Sequence, residues 1–553
     1  MALLATGAQG PGEAEAPARR LYDADPFAAE GVPRQAEGVR VRAAAANDMY
    51  GVCSIEDFPP GIGDLSLTHD NAWGSYDYVD QFVTPNFWFQ DGNVLSWIYG
   101  ETYDNWQDFY GFDACTVVYH SGHGDMDGNG VFWMPMGGTW GGTSWASSND
   151  LRVGNEMARY IFLSTCLSLR VHSGHSPIRT WNASNLGFRM LFGFETVSVD
   201  HAGYGKFFFE EWNKNKSFSQ AWLDASWRIS TAQAPSVVAC GATQAEAQDR
   251  LSNERLFYRG SVSKNWWWWR WYDAARRVAT RELTLPDAAR STSFLPPDLS
   301  GRHLAELAEH YGIDTRAATE LTEDNRGAIL GADRDGPTLT VDRSGTLEIC
   351  LAHPDGGGDA PGADDVMRIA QAAVQSYSLA DEVDLVADRV RHAYTAGAST
   401  DERAEPRIQE TIVVFNQVVD GVSIVTPGIG EVRVSVNGEG TVTRIVDATR
   451  RVSDVADRPA AVTPPPDNGQ VRSPRRPGLS SVDELLDAPL QRLLRTLSAG
   501  GHVPTQVRTV PDSTDIGYSL QGTHGRMVAQ RTVEVDFGQG LRKRYLVEAP
   551  VSG

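Results

Sequence analysis

The chain reads as an α/β domain whose mostly parallel sheet carries helices on both faces, followed by an α+β domain in which a helix packs on an antiparallel sheet. Three observations lead there. Short, nearly continuous apolar runs such as Tyr160 to Leu163 and Met190 to Phe194 recur between Gly-rich or polar breaks, as strands buried on both faces do. Between them apolar residues repeat at helical spacing, best in Phe218, Trp222, Ala225 and Ile229 behind a Ser217 N-cap. Beyond about residue 280 the chain has no Trp and few other aromatic residues, and strict alternation takes over in Val432, Val434 and Val436.

Size and charge narrow the function classes. The 553 residues exceed what one core of about 150 residues requires, so more than one domain is expected. With 41% hydrophobic and 22% charged residues the composition is globular, which excludes collagen-like and wholly disordered chains. Lys plus Arg number 49 against 71 Asp plus Glu, a formal charge of -22 that repels nucleic-acid phosphate and anionic lipid. Neither nucleic acid nor membrane is an expected partner, and no apolar run reaches the roughly 18 residues of a membrane span. The opening MALLATGAQGPGEAEAPARR lacks a basic n-region and its apolar run stops at Leu4. A cytoplasmic protein is therefore expected, with export by an unrecognised route as the alternative. The five cysteines are too few, and odd in number, for a disulfide framework, so reduced thiols are expected.

Along the chain, residues 1–46 are rich in Ala, Gly, Glu, Pro and Arg and read as a disordered leader. Residues 47–280 form the α/β domain, with strands expected at Tyr50 to Ile55, Val94 to Tyr99, Cys115 to Tyr119, Tyr160 to Leu163 and Met190 to Phe194. A helix is expected from Ser75 to Val83 and another from Ser217. The run Trp266 to Trp271 would show Trp on both faces of a strand, which predicts burial between the two domains. Residues 281–455 form the second domain: a helix opened by Asp364 or Asp365, two strands around an Asp420-Gly421 turn, and a hairpin closed by Asn437-Gly438-Glu439-Gly440. Residues 456–480 are a Pro-rich linker, and 481–553 a small α+β segment.

The chemistry sits at two strand ends. One expected strand ends in His120-Ser121-Gly122-His123-Gly124-Asp125 and another in Ser164-Thr165-Cys166-Leu167-Ser168. Open α/β sheets place ligand crevices at that carboxyl edge. A thiol is mostly protonated at neutral pH, and an imidazole beside it can take the proton and make a nucleophile. Gly124 lets the backbone approach a substrate, and the amides of Gly124 and Cys166 could together hold an oxyanion.

The blocks "VVYHSGHG" and "IFLSTCLS", with His123 and Cys166 43 residues apart, resemble the His-Gly and Cys blocks of the caspase-like cysteine peptidases, the group containing gingipains, legumains, separases and CHAT proteases. The segments "RMLFGFETVSVD" and "GKFFFEEWNKNKSFSQAWLDAS" are similar to the strand and two helices that follow in CHAT-type members. The resemblance covers roughly residues 48–235 and implies His123 as general base, Cys166 as nucleophile, the Gly124 and Cys166 amides as oxyanion hole, and a peptide or protein substrate. It supplies no third catalytic residue, and STCLS departs from the Q-A-C-[RQG]-G of caspases, so specificity for Asp is not implied. The stretch "ETIVVFNQVVDGVSIVTPGIGEVRVSVNGEGTVTRI" is similar to the PepSY or FTP propeptide-type modules, which implies a contact between that domain and the catalytic one.

Other uses of the same residues stay open. The tetrapeptide HSGH occurs at His120 to His123 and at His172 to His175, and with Cys166 it offers donors suited to zinc, as in a zinc-dependent hydrolase. Asp125, Asp127 and Asn129 match the first half of a calcium loop, although position 12 would be Met136. The remaining alternative is a catalytically inactive caspase-like scaffold that binds peptides or partners.

Overall fold

Each near-continuous apolar run needs cover on two faces, and that requirement sets the architecture. The computed structural model describes residues 24–30, 48–279, 283–286, 290–298, 301–311, 328–330, 337–354, 360–377, 379, 382–456, 481–499 and 503–551. Five strands, β1 (Tyr50–Ser54), β2 (Phe87–Gln90), β3 (Val117–Ser121), β4 (Tyr160–Ser164) and β5 (Met190–Phe194), run parallel in the order β2-β1-β3-β4-β5. β6 (Pro235–Gly241) and β7 (Trp266–Tyr272) continue the sheet antiparallel. One face is covered by α1 (Thr68–Val79), α2 (Tyr204–Trp212) and α3 (Phe218–Trp227), whose Ser217 cap accepts from the Gln220 amide. The other is covered by the short helix Pro177–Trp181, single helical turns, and a three-stranded sheet of Asp125–Met126, Phe132–Trp140 and Thr143–Ser147.

Two expected elements fall elsewhere. Val94 to Tyr99 is not a strand: Ser96–Ile98 is one helical turn, and Val94, Ile98 and Tyr99 are buried against a sheet face. The edge strand is the preceding Phe87–Gln90, half-buried along its length and ended by Asp91 at φ 47°. The first helix begins at Thr68, not Ser75. Gly74, a weak helix former, lies inside it because a Cβ there would come within 2.7 Å of the Lys206 amide nitrogen on α2. The expected leader also holds an anchor. Phe27 is fully buried with its ring 5.2 Å from Phe257, and the Phe257 amide donates to the Pro26 carbonyl at 2.8 Å. Residues 1–23 and 31–46, and the linker 457–480, lie outside the described residues.

The second domain comprises β8 (Thr338–Val341), β9 (Leu347–Cys350), α4 (Ala363–Ser376), β10 (Asp384–Ala398), β11 (Arg403–Val419), β12 (Glu431–Asn437) and β13 (Val442–Asp447). Val366, Ala370, Ala373 and Val374 of α4 pack on the antiparallel sheet through Val413, Val434 and Ile445. The Trp run joins the domains: β7 pairs with β6 on one side and with β10 on the other, so one 16-stranded sheet spans both. Trp267, Trp269 and Trp271 enter one core, and Trp268 enters the other over Gly397, where a side chain would collide with its ring.

The C-terminal unit has α5 (Val482–Ala499) on a sheet containing β14 (Asp515–Gln521), β15 (His524–Gly538) and β16 (Leu541–Pro550). Ser291–Phe294 and Val452–Ala456 pair into that sheet, so the boundaries read from composition cut through it. Among the described residues no helix is long and apolar enough to cross a membrane.

Candidate active site

β3 and β4 pair with Ser121 opposite Ser164, so the loops that follow them leave the sheet edge side by side. Gly124 draws the loops together: a Cβ there would lie 2.9 Å from the Cys166 carbonyl oxygen and 2.7 Å from the Phe132 ring. His123 and Cys166 are both fully buried.

The His123 tautomer follows from its partner. Nε2 is 2.8 Å from the Gly63 carbonyl oxygen, which can only accept, so Nε2 carries the hydrogen and Nδ1 the lone pair. Nδ1 has no hydrogen-bond partner among the described residues. Burial, with the Lys543 charge adding to it, pushes the imidazole down to about 3 against the weaker opposing effect of the Gly63 bond. His123 is thus neutral near pH 7 with its basic nitrogen unoccupied. The rings of Phe58 and Phe537 flank it at 5.0 and 5.5 Å. The group that orients His123 is a backbone carbonyl, which no side-chain motif in the sequence encodes.

The Cys166 thiol donates to the Arg542 carbonyl oxygen at 3.1 Å, accepts from the Ser198 amide at 3.3 Å, and lies 3.4 Å from Ser198 Oγ. His123 and Cys166 exchange no hydrogen bond. The neighbouring His120 is 2.7 Å from the Tyr99 hydroxyl through Nδ1, and burial and Lys543 push it, too, down to about 3.

The zinc expectation is not met. His120 is committed to Tyr99 and His123 to Gly63, while His172 Nε2 accepts from Trp271 Nε1 at 3.1 Å and His175 Nε2 faces Arg170 at 3.4 Å. Their remaining ring nitrogens and the Cys166 thiol do not converge as a set of three donors among the described residues. In the calcium-like pattern the carboxylates already have partners. Asp127 Oδ1 accepts the Asn129 and Val131 amides at 2.9 Å each and Oδ2 accepts Trp133 Nε1 at 3.3 Å, so the carboxylate closes its own turn. Asp125 faces the backbone of Gly540. Among the described residues the acidic groups that do converge are Glu211, Asp224 and Glu348. The Lys216 ammonium lies 2.7 Å from each, so the chain supplies the cation itself.

A Ser-His-Asp array that the sequence does not reveal lies at the end of β1. Ser54 Oγ is 2.8 Å from His69 Nδ1, and His69 Nε2 is 2.9 Å from Asp91 Oδ2. Ser54 is fully buried and also accepts Trp88 Nε1 at 2.9 Å, so the array straps α1 to the sheet edge and leaves no approach to the hydroxyl.

Residues 52–271, which contain His123 and Cys166 and end in β7, match a family model described as a domain of unknown function (DUF6345). No curated protein matches the chain. Among solved structures the chain is similar to the Bacillus megaterium YpeB C-terminal domain, at 9% identity, with 46% of this chain and 99% of that chain covered and a TM-score of 0.19.

Proposed function

We propose that the protein is a cysteine peptidase of caspase-like type that hydrolyses peptide bonds with Cys166 as nucleophile and His123 as general base. The observation that carries this reading is the neutral His123, fixed by Gly63 with its bare Nδ1 in the loop packed against Cys166. In the proposed sequence the thiol proton passes to Nδ1 and the sulfur attacks a peptide carbonyl, whose oxygen is taken by the Gly124 and Cys166 amides. The C–N bond then breaks, the imidazolium returns its proton to the leaving amine, and water hydrolyses the thioester. The second domain, a helix on an antiparallel sheet, resembles a PepSY-type propeptide module in this reading and serves as a structural neighbour of the catalytic domain.

A second reading, a peptide-binding scaffold without activity, is favoured by one fact: the thiol proton is directed to Arg542 and not to His123. Hydrolysis of unfolded casein with chelator present separates the two. It is measured on the full chain and on Leu541→Asp, which loosens the segment bearing Arg542. Peptidase activity is expected to fall at least a hundredfold in Cys166→Ala and in His123→Ala on either background. Hydrolysis indifferent to both substitutions, or none in any form, removes the peptidase reading.

A further inference from the structure

The cleft over Cys166 is filled by the chain itself. The hairpin of β15 and β16 turns at Gln539 and Gly540, and its tip lies on the loops after β3 and β4. Leu541 is fully buried within the core of the first domain, and Phe537 lies edge-on to His123. The first strand turn of β16 is held as an added strand: the Arg544 amide donates to the Ser198 carbonyl at 3.1 Å and the Asp200 amide to the Arg544 carbonyl at 2.9 Å, a parallel bridge centred on Val199. This main-chain pairing is how an extended peptide docks on an exposed edge. Along it the Arg542 carbonyl reaches the Cys166 thiol, and the buried Lys543 ammonium donates to Ser198 Oγ at 3.1 Å.

The surroundings are electrically matched to this segment. The charge of Lys543 acts on Asp200, and that of Arg542 acts on Asp125. At Gly63 a Cβ would overlap the Phe537 ring, and at Gly540 it would overlap the Asp125 carboxylate, so the two surfaces meet at glycines on both sides. The thiol donates its proton to the carbonyl oxygen of Arg542, which is a resting hydrogen bond and not an attack on carbon.

We propose that Leu541–Arg544 is a built-in occupant of the Cys166 cleft that mimics its substrate, and that the cleft accepts extended peptides carrying basic residues at the positions of Arg542 and Lys543. Cleavage of such peptides rests on the peptidase reading above; occupancy and basic preference do not. Displacement of the tip exposes the thiol, Nδ1 of His123 and the two carboxylates together.

The test is the alkylation rate of Cys166 by iodoacetamide in the full chain, followed by peptide mass mapping. The buried Cys53, Cys115 and Cys240 serve as internal controls of folding. Leu541→Asp is expected to speed Cys166 alkylation at least tenfold with the control thiols unchanged. Should all four thiols react faster because the fold is lost, Phe537→Ala, a milder loosening, decides with an expected rise of at least threefold at Cys166 alone. An unchanged Cys166 rate in both variants overturns the occupancy. In the loosened variant a synthetic peptide Gly-Leu-Arg-Lys-Arg-Tyr should slow alkylation at least threefold, and Gly-Leu-Glu-Asp-Glu-Tyr should not. Equal protection by both peptides, or by neither, overturns the basic preference. Protection by the basic peptide without its hydrolysis counts against the peptidase reading and supports the occupancy.

Discussion

Two places in this molecule bury a lysine between domains, and they are built in opposite ways. At the seam between the first and second domains, Lys216 on the loop before α3 lies 2.7 Å from Glu211, Asp224 and Glu348. Arg444 joins the same group, 2.8 Å from Asp224 and 3.3 Å from Glu348, with its other nitrogen 3.1 Å from the Tyr272 hydroxyl. At the hairpin, the Lys543 ammonium donates to Ser198 Oγ, and the two imidazoles it acts on have His120 Nε2 and His123 Nδ1 buried without partners among the described residues. Satisfied charges in a continuous sheet make a permanent joint; orphaned polar atoms are costly to keep dry. The contrast predicts that the second contact opens more readily than the first.

The largest test of the contrast removes each ammonium in turn. Lys216→Met removes the ammonium shared by three buried carboxylates, leaving Asp224 and Glu348 to Arg444 and Glu211 to Lys214 and Arg228, and should lower stability to denaturant by about 3 kcal/mol. Lys543→Met removes a charge whose attraction to Asp200 is opposed by its repulsion of two imidazoles, and should change stability by less than about 1 kcal/mol. Equal losses in the two variants would erase the distinction drawn between the joints.

Acid should separate the same two contacts next. Burial and Lys543 hold His120 and His123 down to about 3, below the 6.5 of the free side chain. A histidine depressed in the folded state binds fewer protons there than in the opened one. The closed hairpin is therefore destabilised as the pH falls below about 6.5, by at most about 1.4 kcal/mol per histidine for each unit. Asp200 and Asp125, raised chiefly by burial, take up protons in the closed state and offset part of that loss. At the seam, burial acts to raise Glu211 and Asp224, but the surrounding cations outweigh it and hold both carboxyls below their usual range. Their contribution is retained until the pH falls through those depressed values. Between pH 7 and 5, the amide-exchange protection factors should fall in 541–546 and stay high in α3 and β9. Loss of protection at both places together would break the comparison.

How much of this was legible depends on where the information is carried. The strands around His120 and Cys166 announce themselves because both of their faces are buried, and the Trp run predicts its own burial by being apolar on both sides of β7. The single turn at Ser96–Ile98 is apolar without being a strand, since burial alone does not fix the backbone. The first helix was hidden by Gly74, whose value lies in helix contact and not in propensity. β10, with most of its N-terminal half only partly covered, has no clean alternation to reveal it. The site was half legible: His123 and Cys166 stand at strand ends, whereas the Gly63 carbonyl and the occupying Arg542 are, respectively, a backbone atom and a residue 376 positions from Cys166. The calcium-like DxDxN pattern is ambiguous in sequence because a carboxylate that closes its own turn, as Asp127 does, has the same spacing as one that holds an ion.

The smallest expected effect asks what holds the hairpin in shape. Glu534 on β15 lies 3.1 Å from Arg544 and 3.5 Å from Arg542, so the strand that enters the cleft has its guanidinium charges met partly from within its own hairpin. Arg544 and Glu534 are mostly buried and Arg542 is 30% exposed, and Glu534→Gln keeps an oxygen that accepts from the guanidinium groups, so the loss is that of charge assistance alone, about 1 kcal/mol. Glu534→Gln should therefore cost that amount in denaturant stability and alter Cys166 alkylation less than twofold, because Leu541, Phe537 and the Ser198–Asp200 ladder still hold the tip. If Glu534→Gln instead exposed Cys166 as fully as Leu541→Asp, the closed state would depend on the hairpin's internal pairing, and the cleft's own grip on β16 would be the weaker of the two.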